Sequence, residues 1–97
     1  MSGIAAQRVG EKLCSLSLGR QVLCVTHLAQ IAAMADTHFE ISKAESGGRT
    51  YTHVKELDGE GKKLELSRLI SGENVSDTTL RSAQELLDMA MNYKQNR

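Results

Sequence analysis

The sequence has no proline and no tryptophan, one phenylalanine, two tyrosines and two cysteines in 97 residues. Each scarcity excludes something. Without proline, the chain is expected to consist of regular elements with short connections. So few aromatic rings leave no platform on which nucleic-acid bases could stack. Cys14 and Cys24 match neither a CxxC nor any metal-ligand spacing. Both read as reduced core thiols of a cytosolic protein. An excess of either charge is also missing, because 12 Lys and Arg balance 12 Asp and Glu. That argues against a general nucleic-acid or membrane surface, while leaving room for a small local basic patch. No apolar run is long enough to span a bilayer, and no signal-peptide pattern precedes the first element. A chain of this length buries about two thirds of its unfolded surface, so it is one domain or a piece of one.

What is present reads as α-β-α-β-β-α-α. Ser2 can cap a first helix with Ala6, Val9, Leu13 and Leu16 on one apolar face, weakened by Gly10 and stopped by Gly19. Residues 21–26 then read as a strand. Val22, Leu23, Cys24 and Val25 do not alternate, as in a parallel-type strand covered on both faces. Leu28, Ile31, Ala32 and Ala35 mark a short second helix. A β-hairpin is expected over 38–57, turning at Ser46-Gly47-Gly48. Residues 58–61 read as a loop. Terminal helices are expected over 62–93, the first carrying Leu66, Leu69 and Ile70 and closed by Gly72. The second has Ser76 as N-cap, Asp77 at the positive end of the helix dipole, and Val75 and Leu80 at staple spacing. Its apolar face is Leu80, Ala83, Leu87, Ala90 and Met91, and a frayed tail is expected from Lys94.

The strand over 21–26 has no obvious parallel neighbour in the chain. Either a second copy supplies the sheet, or this is a fragment of a larger α/β domain. Met1-Ser2-Gly3, opening directly into a helix, fits a start placed in a strand-to-helix connection. In open α/β sheets, ligands sit at the carboxyl ends of the strands. His27 stands at that end, where an imidazole can donate to a phosphate oxygen or hold an attacking water. The plainer alternative is a polar residue that ends the strand and caps the helix beginning at Leu28.

Three stretches carry a resemblance. "SGIAAQRVGEKL" is similar to the segment after the Walker B strand in the ABC-type ATPase heads of RecN-family proteins, the SMC-like ATPases of bacterial DNA repair. "VLCVTHLAQIAAMAD" resembles that family's switch-histidine strand, and is the most specific of the three. "LELSRLISG" with "TLRSAQELL" resembles its terminal helices. The resemblance covers nearly the whole chain and implies the C-terminal fragment of a P-loop, ABC-type NTPase head. It implies that His27 is the switch histidine, catalytic only in the full-length parent, and that Ser2 and Gly3 are a D-loop remnant at a head-to-head interface. Thr26 would orient the loop, and Gln30 would lend support near the site. Ala29 stands where relatives often have proline, and Met1 where they have isoleucine.

There is no GxxxxGK[ST] to cradle phosphates, and no Asp-Glu pair after a strand to hold Mg²⁺. ATP and Mg²⁺ are therefore expected in the full-length parent, and no cofactor or ATP affinity in this chain alone. The implied partners are the rest of the ATPase head, a second head in a homodimer, and DNA through the full-length protein. The setting implied is the bacterial cytoplasm, at the nucleoid during repair. The fragment itself is expected to self-associate. A stand-alone α+β interaction module is the alternative.

Other residues carry less. His27, His38 and His53 match no metal spacing, so no metal site is expected. Ser2 and Ser15 suggest no hydrolase triad. Lys62, Lys63 and Arg68, close to Glu56, Glu60 and Glu65, read as a mixed solvated surface. Arg81 and Glu85 have i,i+4 spacing for a weak ion pair. Met34, Met89 and Met91 read as core.

Overall fold

A computed structural model of the protein describes residues 2–97; Met1, and with it the reading of Met1 as an introduced start, lies outside the described residues. The described residues form four helices and one antiparallel hairpin. These are α1 (Gly3–Leu16), α2 (Ala29–Ala32), β1 (Phe39–Ser46), β2 (Arg49–Glu56), α3 (Gly59–Ser71) and α4 (Asp77–Gln95). The mixed helix-and-strand class agrees with the sequence, but the expected strand over 21–26 is absent. Residues 19–27 make no backbone-to-backbone hydrogen bond among the described residues. Leu23 and Val25 are 87% and 85% exposed, and Cys24, expected in a core, is exposed as well. The reason is that a strand exists only against a neighbour that takes its N–H and C=O groups. The apolar run is there, but no other segment among the described residues pairs with it.

α1 starts as expected, with Ser2 Oγ accepting from the Ala5 N–H at 3.1 Å. It buries Ala6 as anticipated, but together with Gly10 and Cys14 instead of Val9, Leu13 and Leu16. Val9 and Leu16 stay 39% and 40% exposed. The helix ends at Leu16, before Gly19, where Ser17 Oγ donates to the Cys14 carbonyl at 2.6 Å.

The hairpin forms in a register that sets Phe39 opposite Glu56 and Ile41 opposite Val54. Gly47 and Gly48 turn it with φ of 59° and 78°, a pair of positive values that only glycine adopts without strain. The expected loop over 58–61 is instead the start of α3. Asp58 Oδ1 accepts from the Gly61 N–H at 2.7 Å, and this cap offsets the cost of two early glycines. Gly72, at φ 76°, closes α3.

Ser76 caps α4 through a reciprocal box with Thr79, at 3.2 Å from the Thr79 N–H and 2.9 Å back to the Ser76 N–H. α4 does not fray at Lys94. It continues to Gln95, with Lys94 Nζ 2.7 Å from Asp36 Oδ1. Met91 and Met89, read as core, are 62% and 49% exposed. Arg81 and Glu85 form no ion pair; those among the described residues are Arg8–Glu11, Arg68–Glu65 and Lys94–Asp36.

The core gathers Ala29, Ala32 and Ala33 around α2, Leu66 from α3 and Ala83 from α4, with Leu69, Leu86 and Leu87 packed on it. Alanines dominate, so backbones approach closely while little apolar area is buried per residue. Two polar clasps join the helices. Ser67 is fully buried and donates to Thr79 Oγ1 at 2.7 Å. The Tyr93 hydroxyl lies 2.8 Å from Ser15 Oγ and donates to the Glu11 carbonyl at 3.3 Å.

Candidate functional site

The candidate residues lie on two segments, the start of α1 and the approach to α2. Ser2 is the α1 N-cap and Gly3 its first residue. A Cβ built on Gly3 would stand 3.4 Å from Gln30 Nε2. The fold thus brings the Ser2-Gly3 corner and the Gln30 side chain together across the α1–α2 contact. Thr26 Oγ1 accepts from the Leu28 N–H at 3.0 Å, closing a tight turn just before α2. The N-cap of α2 is Leu28, with no side-chain cap, so His27 does not cap the helix. His27 is exposed. Its ring makes no hydrogen bond or ion pair among the described residues. An imidazole held on an ordered turn and left without a protein partner can donate to, or accept from, a ligand.

Sequence reading missed the part played by Gly10, which it treated only as a weak point of the first helix. Gly10 is buried where α1 meets α2. A Cβ there would stand 3.0 Å from Met34 Cγ, 3.3 Å from the Gln30 carbonyl oxygen and 3.4 Å from Ile31 Cα. The signal was present in the spacing of small residues at Ala6, Gly10 and Cys14, one helical stripe that lets a second backbone come close.

Away from this corner, Asp36 joins α4 and α3. Its side chain takes Lys94 Nζ, and its carbonyl accepts from Lys62 Nζ at 3.2 Å. The Lys94 hydrogen bond is the main reason that its carboxyl is held below the usual range; burial opposes this, and the charges of Lys94, Arg97 and Lys62 add to it. His38, just before β1, has its pKa pushed below the ordinary 6.5, chiefly by burial. Glu65 and Glu40 pull it back up and Lys62 pushes it further down. The Arg68 guanidinium is raised by its hydrogen bond to Glu65. Lys62 and Arg68 are thus engaged with acceptors of the chain itself, as a mixed-charge surface requires.

Cys14 is buried and a free thiol, with Arg97 Nη1 2.7 Å from its sulfur. No three His, Cys, Asp or Glu side chains come together as a metal cage among the described residues. No helix among them is long and apolar enough to cross a membrane. Among the described candidate residues, the His27 ring is exposed and open to a ligand, while the sequence carries no GxxxxGK[ST] motif.

No family model matches the chain. It is similar to curated proteins named DNA repair protein RecN. It is 49% identical to that of Halalkalibacterium halodurans over 99% of this chain and 17% of the relative. It is 50% identical to that of Bacillus subtilis over 97% of this chain and 16% of the relative. The Deinococcus radiodurans protein is 47% identical over 90% of this chain and 15% of the relative. The similarity runs along nearly the whole chain. The chain belongs to the RecN family of DNA repair proteins, as a stretch spanning 15% to 17% of the length of these three members.

Proposed function

We propose that the chain is the C-terminal part of an ABC-type ATPase head of an SMC-like protein that acts in double-strand break repair and recombination. Within the longer protein it contributes His27 as switch histidine and Ser2-Gly3 as part of the D-loop. The observation that carries the reading is the placement of two separate segments: Gln30, three residues after His27, rests against Gly3, while the His27 ring stays exposed. A residue that holds an attacking water against a phosphate needs such freedom on an ordered support.

ATP and Mg²⁺ would be bound by the rest of the head, which supplies the phosphate loop, the metal-binding carboxylates and the charge neutralisation that phosphoryl transfer requires. In that setting His27 orients the water or donates to a phosphate oxygen, and Thr26 fixes the turn that carries it. The rest of the head would also pair residues 21–26, whose exposed apolar side chains and unpaired backbone support a missing neighbour over a self-sufficient interaction module. A second head and DNA are partners of the whole protein. Alone, the chain is expected to hydrolyse nothing.

The test is His27→Ala in the full-length protein. Nucleotide binding, measured by titration with a fluorescent ATP analogue, should stay close to wild type. ATP turnover should fall by about 10²-fold or more, the size typical of a lost proton-transfer or water-positioning group. Wild-type turnover would remove the role assigned to His27.

A further inference from the structure

Gly10 sits in the interior of α1, a position where glycine weakens a helix and alanine would strengthen it. What its lack of a side chain provides is space. The three atoms nearest to a Cβ there are Met34 Cγ at 3.0 Å, the Gln30 carbonyl oxygen at 3.3 Å and Ile31 Cα at 3.4 Å. Two of the three are backbone atoms of α2, which cannot swing aside as a side-chain end can. α2 spans only Ala29–Ala32 and follows directly on the turn that Thr26 closes through the Leu28 N–H. A shift of α2 is therefore a shift of the His27 turn. The same α1 carries the Ser2-Gly3 corner at its other end, against the Gln30 side chain.

We infer that Gly10 is a positioning residue: the close approach of α1 and α2 that it permits sets the distance between the Ser2-Gly3 corner and the Thr26-His27 turn. This rests on the role proposed for His27. Adding a methyl group at Gly10 pushes α2 outward by a few tenths of an ångström and carries His27 with it, without touching any group that binds nucleotide.

The experiment uses the full-length protein with Gly10→Ala, His27→Ala, the pair combined, and Gly10→Ala combined with Met34→Ala. Gly10→Ala should keep nucleotide binding and lower ATP turnover by about tenfold, since displacements near 1 Å can cost roughly a hundredfold. In the His27→Ala background it should cause no further loss, because a residue acting through His27 has nothing left to act on. Deuterium uptake by residues 28–34 should rise in Gly10→Ala, a readout independent of hydrolysis. Met34→Ala removes the nearest obstructing atom and should recover part of the turnover; this double variant serves the same comparison if Gly10→Ala alone fails to fold. Wild-type turnover and unchanged deuterium uptake in Gly10→Ala overturn the inference. So does an equal fold-loss with and without His27, which marks a merely structural role. If His27→Ala itself leaves turnover unchanged, the role proposed for His27 has failed and Gly10 falls with it. If His27→Ala is damaging and Gly10→Ala is not, only the inference about Gly10 is lost.

Discussion

His38 is partly withdrawn from water at the entry to β1, and its carbonyl holds the Leu57 N–H at 2.9 Å. Burial makes its ring harder to protonate in the folded chain than in the unfolded one, against the pull of Glu65 and Glu40. The unfolded state therefore takes up the proton first as pH falls. The stability tied to a neutral His38 is fully present above the ordinary pKa of 6.5, and is lost as pH drops from there through the lower folded value. Urea midpoints measured between pH 8 and pH 5 should decline over that window, and His38→Gln should flatten the decline. An unaltered slope in His38→Gln would show that another group governs it. Asp36, whose carboxyl is also depressed, acts in a separate window. Its contribution is present above 3.8 and fades below it. Residues such as Ser2 and Ser76 could be read without a structure, because a cap needs only its own following turn. His38 could not, because both its burial and the charges of Glu65, Lys62 and Glu40 that act on it depend on how other segments pack near it.

Among the elements, α4 was legible almost throughout, and its cap offers a direct test. Ser76 and Thr79 satisfy each other's backbone N–H groups, so Ser76→Ala should cost about 1 kcal/mol. For a domain this small that lowers Tm by about 4–8 °C, measurable by far-UV circular dichroism. A shift below 1 °C would mean that the box contributes little. The hairpin was equally readable, since two glycines at the turn, alternation before it and β-branched residues after it define it locally. The face of α1 was legible only in part, through Ala6, whereas on α4 only Met91 left the expected face. Periodicity picks out large apolar residues as the buried stripe, but α1 packs through Ala6, Gly10 and Cys14. A close backbone approach selects small residues, and this displaced Val9 and Leu16 toward solvent.

At the scale of the whole molecule, residues 21–26 carry an apolar run in which Leu23, Cys24 and Val25 are exposed, with no backbone-to-backbone hydrogen bond among the described residues. Such a run is a template for pairing with another chain. The 97-residue chain is expected to sediment as a dimer or larger species at micromolar concentration. Val25→Lys, which puts a charge on the exposed run, should return it to a monomer. A monomeric wild-type chain would contradict this. Its small, alanine-rich core is consistent with a piece that relies on surroundings for part of its burial.

The sequence by itself determined the helix caps, the hairpin and its glycine turn, the absence of a phosphate loop, and the Thr-His pair with its family resemblance. These depend on residues within a few positions of one another. Only the tertiary structure decided that Gly3 lies against Gln30, that Gly10 seats α2, and that residues 21–26 stay unpaired here. Each of those depends on which distant backbone comes near. A single chain's pattern of apolar residues does not state that, because a strand and a close helix contact are both properties of two partners.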